Sequence, residues 1–396
     1  MHLLHDEFFQ SEAQLDSMAH TQTQRHRNRT GNDGHQQLGD TPPGAQPAIS
    51  VRNVTAEELR ELVATEAERL FFVVGFDADM TSATPPQVLS QLANPLACGY
   101  AHVPIATLAT RGRIAPYEAW MAPTPVTRDV LHGVNIARTD DLLFGCVSVT
   151  QADDVSLEDV TRVAYCRIFD CIDAAGMPYL NRAWHYLPAI NSPEQSMERY
   201  RRFSVGRHDA FVEKGRTIER DAPAASALGS PQTAANASLV IYFAATKTRG
   251  TPLENPRQVS AYRYPKDYGP RSPTFARALL APPSQGIFYV SGTASIVGHE
   301  TKHVGDVIAQ THETLANIRA LQDEATRQGA NHHARTTHVK VYVRNAGDSE
   351  IVHELVEAAL VNEAADNVEI IYMEADICRS DLLIEIELLT HLEVHA

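Results

Sequence analysis

Two rhythms of apolar residues run through positions 51–390 of this chain. Spacings of three and four mark AEELRELVATEAERL, LEDVTRVAYCRIFDCIDAAG and SEIVHELVEAAL as amphipathic helices. Short apolar or alternating runs predict strands at RLFFVVGF, LLFGCVSVT, SLVIYFAAT, GIFYVSGTAS, HVKVYVR, VEIIYMEAD and LLIEIELL. A further helix is expected from Asp306, whose carboxylate can accept from the first free N–H groups. Behind it, Ile308, Leu315, Ile318 and Leu321 fall near one face. Residues 51–225 are α/β material. The elements after about 238, with their short connections, predict one sheet covered on one face by helices. Between the two, APAASALGSPQTAANAS (222–238) follows neither rhythm and reads as a linker or long surface loop. Residues 1–50 are polar and rich in histidine and predict a disordered tail. The expected organisation is a tail over 1–50, an N-terminal α/β domain over 51–225 and a C-terminal domain over 226–396.

The last predicted strand carries candidate chemistry. With a side-chain period of two, Leu382, Ile384, Ile386 and Leu388 point one way, and Leu383, Glu385, Glu387 and Leu389 the other. Two carboxylates flanked by leucines are ordinary on a solvent-facing strand. On the wall of a cleft they would form an acid pair.

Composition narrows the function classes. A length of 396 residues, 43% of them hydrophobic, suffices for two or three real cores. The five cysteines (Cys98, Cys146, Cys166, Cys171, Cys378) form no CxxC pair and suggest neither a disulfide framework nor a cysteine-rich zinc site. The longest apolar runs, such as LFFVVGF, are far below the roughly 18 residues that span a bilayer. The amino terminus lacks a basic segment followed by an apolar one. A soluble, cytoplasmic protein is expected. A formal charge of −15 speaks against nucleic acid or an anionic membrane as partner. Yet Arg199 to Arg277 holds fourteen Lys and Arg against six Asp and Glu, and that is where an anionic ligand would go.

One motif suggests zinc. His299-Glu300-Thr301-Lys302-His303 matches H-E-x-x-H, which works only when one helix presents both imidazoles on one face. Gly298 and Gly305 bracket the pentad, and glycine costs about 1 kcal/mol inside a helix. The pentad therefore reads as a loop leading into the helix that starts at Asp306, and no metal is expected.

FYVSGTASIVGHETKHVGDVIAQTHETLANI, VKVYVR and the terminal LLIEIE together resemble the Rid superfamily of reactive intermediate deaminases. Four further stretches, YLNRAWHYLPAIN, ERYRRFSVGRHDAF, ENPRQVSAYRYPKDYGPRSPTFARA and DICRSDLLIEIE, are similar to the chorismatase family, enzymes that remove pyruvate from chorismate. Together they cover most of 179–390. The resemblance implies an α/β (α+β) fold: a Rid/YjgF-like mixed sheet with helices on one face in the C-terminal domain, packed against a related, degenerate N-terminal α/β unit. It implies no metal and no cofactor. The pocket is expected at the junction of the units, because the basic segment straddles the linker. A monomer is expected, with a trimer as the alternative.

Chorismate carries two carboxylates and an enol ether, which breaks down once its terminal carbon is protonated. That step needs an acid still protonated near neutral pH. Burial and a like charge both raise a carboxyl pKa, and Glu385 has leucines and Glu387 beside it. Glu385 matches the family's catalytic glutamate, while Glu387 reads as structural or tuning. Tyr200 and Arg207 align with substrate-binding positions, as do Arg249 and Tyr262 across a loop of differing length. Arg263, Arg271 and Arg379 are candidates by charge, since guanidinium groups suit carboxylates. Trp184 and His185 read as core or interface. Gly292 and Cys378 look like the pair of the branch that forms hydroxybenzoate, in which a neighbouring hydroxyl displaces the leaving group. A tight hairpin would bring Cys378 to Glu385. The expected product is 3-hydroxybenzoate, with some 4-hydroxybenzoate left open. The alternatives are hydrolysis to a dihydroxycyclohexadienoate, a Rid-type imine deaminase and a non-catalytic ligand-binding protein.

Overall fold

The computed structural model describes residues 49–77, 99–109, 114–231, 237–330, 336–361 and 368–392. The polar tail expected over 1–50 lies outside the described residues up to position 48, as does Cys98. The first part of the described chain runs β1 (Ser50–Val54), α1 (Ala56–Glu66), β2 (Leu70–Phe76), β3 (Tyr100–Val103), β4 (Ala106–Leu108) and β5 (Tyr117–Met121). Four of these strands form a sheet in the order β1-β5-β2-β3. Helix α1 starts in a capping box, Thr55 accepting from the Glu58 N–H and Glu58 from that of Thr55. It lays Leu59, Leu62 and Val63 on the sheet.

The second part runs β6 (Thr127–Leu131), β7 (Val134–Arg138), β8 (Leu142–Thr150), α2 (Leu157–Ala174), β9 (Tyr179–Pro188), a short hairpin of β10 (Pro193–Glu194) and β11 (Met197–Glu198), α3 (Arg199–Glu213), α4 (Ile218–Asp221), β12 (Ala224–Ser230) and β13 (Ser238–Thr246). The apolar positions of α2, Val160, Ala164, Ile168 and Ile172 among them, form the buried stripe its periodicity predicts. Helix α3 packs on α2 at Gly206, where an added Cβ would come within 2.1 Å of the Glu158 carbonyl oxygen, so only glycine permits this approach.

The third part runs β14 (Thr251–Leu253), β15 (Ala278–Leu280), β16 (Ile287–Ala294), β17 (Ile296–Val297), β18 (Glu300–Thr301), α5 (Val307–Arg327), β19 (Thr336–Val343), α6 (Ser349–Leu360), β20 (Val368–Glu374), β21 (Asp376–Ile377) and β22 (Ile384–His391). The second sheet has the order β21-β12-β9-β13-β8-β7-β6 and the third β14-β15-β16-β22-β19-β20-β4. In the third sheet Ile384, Ile386 and Leu388 pack with Leu315, Ile318 and Leu321 of α5. Asp306 caps α5 as expected, accepting from the Ala309 N–H at 3.0 Å, but Ile308 is exposed rather than on the buried face. Among the described residues, no helix is long and apolar enough to cross a membrane.

The inner faces of all three sheets share one core. Trp120 of β5, Phe144 of β8, Trp184 of β9, Tyr242 of β13 and Tyr289 of β16 pack there ring against ring, Trp184 and Tyr242 stacking at 4.5 Å. The expected degenerate unit is present as the second sheet, and the first sheet adds a smaller third unit.

Two local expectations are corrected. The stretch 222–238 read as a linker contains β12, buried at every position and paired in parallel with β9. Its Ala, Ser and Gly residues give no hydrophobic period because the strand lies in a tight space that accepts only small side chains. SLVIYFAAT, placed with the C-terminal sheet, is β13 of the second sheet, between β8 and β9. The boundary read at 225/226 therefore falls inside a strand.

Candidate active site

Glu385 and Glu387 project from β22 into the shared core, not into solvent. Glu385 is 3% exposed. Burial pushes its pKa up to about 8, the Glu387 charge adds to the rise, and Arg182 opposes it. Among the described residues, no cation or donor is bonded to its carboxyl group. The carboxyl fits because residue 292 of the opposite strand β16 is glycine. An added Cβ there would lie 1.9 Å from Glu385 Oε1 and 3.0 Å from the Ser226 Cβ. The β16–β22 register shifts between Val290 and Thr293, so Gly292 sits at an irregularity that opens the ladder next to the acid.

Glu387 has a different environment. Its oxygens accept from Arg182 Nη2 at 2.6 Å, Trp184 Nε1 at 2.8 Å and the Ser226 hydroxyl, with Lys340 Nζ at 3.4 Å. Lys340 also pairs with Glu118 at 2.7 Å and donates to the Tyr242 hydroxyl at 2.8 Å. Burial raises the Glu387 pKa, but Arg182, Lys340 and these hydrogen bonds outweigh it and hold the group below the usual carboxylate range. This network ties together all three sheets.

Tyr200 and Cys378 feel the Glu385 charge, Arg379 acts on both of them, and Arg207 acts on Tyr200. Tyr200 is pushed up by burial, with Cys378 and Glu385 adding and Arg207 opposing. Burial takes the Cys378 thiol up to about 12, helped by Glu385. Cys378 arrives by a different route from the hairpin expected: the preceding β21 pairs with β12 of the second sheet, Ile377 opposite Leu228. Arg207 is buried, lies over the Phe203 ring at 4.9 Å and has an Nε without a partner among the described residues. Arg379 stacks on Tyr268 at 4.4 Å and donates to the His299 carbonyl oxygen at 2.9 Å.

The H-E-x-x-H pentad is thus part of the support for Arg379. His299 lies in the β17–β18 turn and its ring meets the Tyr268 hydroxyl, while His303, at φ 56°, pairs with Glu313. The two rings share no helix face.

Three of the candidate arginines have other carboxylates beside them. Arg249 pairs with Asp221 and lies over Tyr179 at 4.5 Å. Tyr262 lies beside Arg263, which is 65% exposed and pairs with Glu219. Arg271 is 51% exposed, 3.9 Å from Asp209. Alignment across a loop and charge alone could not distinguish such surface pairs from pocket arginines. Conversely, the sequence reading missed Arg182, Ser226 and Arg277. Arg182 and Arg277 are buried, each with one nitrogen lacking a partner among the described residues, and Arg277 influences Cys378. Arg182 had a signal, since it alternates with Trp184 and Tyr186 along one face of β9.

Similar proteins share this arrangement of the chain. Residues 118–245 match the family model described as chorismatase FkbO/Hyg5-like, N-terminal. A chorismatase of Streptomyces rapamycinicus is 39% identical over 280 residues, 68% of this chain and 80% of that protein. A 3-hydroxybenzoate synthase of Streptomyces hygroscopicus is 35% identical over 282 residues, again 68% of this chain and 80% of the relative. The crystal structure of a chorismatase superposes with a TM-score of 0.71 at 30% identity, covering 87% of this chain and 98% of the other. The chain belongs to the chorismatase family.

Proposed function

We propose that this protein cleaves chorismate into pyruvate and 3-hydroxybenzoate, with Glu385 as the general acid. One observation carries the reading: the Glu385 carboxyl is buried with no bonded cation among the described residues, so burial raises its pKa to about 8, and it acts on Tyr200 and Cys378, which Arg207, Arg277 and Arg379 also reach. Such an acid is still protonated near neutral pH, where an ordinary carboxylate is not. Glu385 hands its proton to the enolpyruvyl methylene, and the oxocarbenium carbon that forms makes the ether oxygen a good leaving group. The neighbouring ring hydroxyl displaces it, pyruvate departs, and the proton lost by that hydroxyl balances the one given. The three-membered ring then opens at the hydroxyl's original C–O bond, the new bond is kept, and loss of the hydrogen from the carbon that carried the enolpyruvyl group aromatises the ring as the oxygen takes up a proton, so no water is consumed. Arg207 and Tyr200 are the substrate-binding candidates the geometry favours, with Arg379 and the unforeseen Arg277 beside them. Gly292 makes room for the acid, and Cys378 shapes the pocket as a neutral thiol.

A monomer fits this reading, because the inner faces of the three sheets already cover one another. A cytoplasmic location belongs to it as well, supported by the four cysteines among the described residues being free thiols.

Purified protein incubated with chorismate tests the proposal, with products identified by mass spectrometry. Equal amounts of pyruvate and 3-hydroxybenzoate are expected. A dihydroxycyclohexadienoate in place of the aromatic acid would reassign the chain to hydrolysis. Absence of pyruvate would remove the reading altogether.

A further inference from the structure

Behind Arg207 lies a line of polar groups that the chemistry above does not use. His185 Nδ1 of β9 is 2.6 Å from the Ser226 carbonyl oxygen of β12, and His185 Nε2 is 2.6 Å from the Tyr165 hydroxyl of α2. The Arg207 side chain of α3 lies near enough to the Tyr165 hydroxyl for its charge and donors to act on it. All three side chains are buried, His185 and Tyr165 completely.

The direction of each bond follows from the chemistry of the groups. A carbonyl oxygen only accepts, so His185 Nδ1 carries a proton. Burial, reinforced by the Arg207 charge, keeps the imidazole neutral, so its Nε2 is an acceptor. Tyr165 therefore donates to His185 and turns its oxygen lone pairs to Arg207. With the Tyr165 hydroxyl on one side and the Phe203 face at 4.9 Å on another, the guanidinium is hemmed in. Its Nε stays without a partner among the described residues, and its charge reaches Tyr200 beside Glu385.

We propose that Tyr165 and His185 are positioning residues, which hold the Arg207 guanidinium in place to meet a carboxylate of the substrate. The identity of that carboxylate rests on the chorismate reading. The relay acts on binding and not on the proton transfer, because among the described residues none of its side chains hydrogen-bonds Glu385. The backbone of Ser226 anchors the relay while its hydroxyl serves Glu387, so one small residue of β12 joins the binding side of the pocket to the acid side.

Tyr165→Phe keeps the ring in the core and removes the hydroxyl. The KM for chorismate is expected to rise about tenfold while kcat stays within about twofold. In an Arg207→Gln background, adding Tyr165→Phe is expected to change KM no further, since the group it positions is gone. Nitrogen NMR of the unmodified protein needs no variant to fold. It is expected to show His185 protonated on Nδ1, bare on Nε2 and not titrating between about pH 5 and 8. An unchanged KM, an equal effect in both backgrounds, or a proton on Nε2 would each overturn the relay. Wild-type protein that releases no pyruvate from chorismate would instead remove the substrate reading, and the NMR tautomer would still decide the relay.

Discussion

Glu385 and Glu387 stand two residues apart on one strand and one face, each 3% exposed. Burial alone would raise both pKa values alike. They diverge because Glu387 has collected Arg182, Lys340, Trp184 and the Ser226 hydroxyl, whereas Glu385 has collected none of them. The lesson is that charge state in a core is set by which partners are buried alongside. The saturated carboxylate then becomes a fixed negative charge that helps its neighbour stay protonated.

The largest effect expected from breaking this contrast comes from Glu385→Gln, which keeps the shape and cannot act as an acid. A fall in kcat for pyruvate release of about 10²–10⁴-fold is expected, with KM for chorismate little changed. In the wild type the sign is equally definite. Glu385 must be protonated, so turnover is expected to decline as pH rises through about 8. A flat kcat profile across that range would remove Glu385 as the acid. Gly292→Ala comes next. The new methyl group meets Oε1 and forces the carboxyl off its position, and a displacement of that size costs about 10²-fold in kcat.

Glu387→Gln tests the saturated side. Removing one partner from a buried ionic network costs about 3 kcal/mol or more, read as a lower thermal midpoint. The same change removes the like charge beside Glu385 and leaves Arg182 less compensated, and both effects lower the Glu385 pKa. The alkaline limb of kcat is therefore expected at lower pH than in the wild type. A limb that stays in place would mean that burial alone keeps Glu385 protonated.

Much of this contrast was legible along the chain, for definite reasons. The α2 and α6 stripes, the Asp306 cap and the alternation of β22 are local patterns, and local physics decided them. Glu385, Gly292 and Cys378 came from family resemblance together with the leucine flanks. Strand β12 was not legible, because a strand of small residues carries no hydrophobic period and only its neighbours reveal it. The pairing of Arg182 with Glu387 and of Lys340 with Glu118 was hidden for a related reason: each pair joins strands that are far apart in the sequence.

The same physics separates Arg207 from Arg249, and there the smallest effect is expected. Both were aligned with substrate-binding positions, yet Arg249 already holds a carboxylate, Asp221, and its side chain is 36% exposed. An exposed pair of this kind is worth about 1 kcal/mol or less. Arg249→Ala is therefore expected to leave kcat and KM for chorismate within about twofold of wild type, with a small loss of thermal stability. Arg207, buried and with an unpartnered Nε, has no such outlet, so Arg207→Gln is the variant in which KM should rise. If instead Arg249→Ala raised KM as strongly, Asp221 would have to release it on substrate binding. The rule that saturated groups are bystanders would then fail in this pocket.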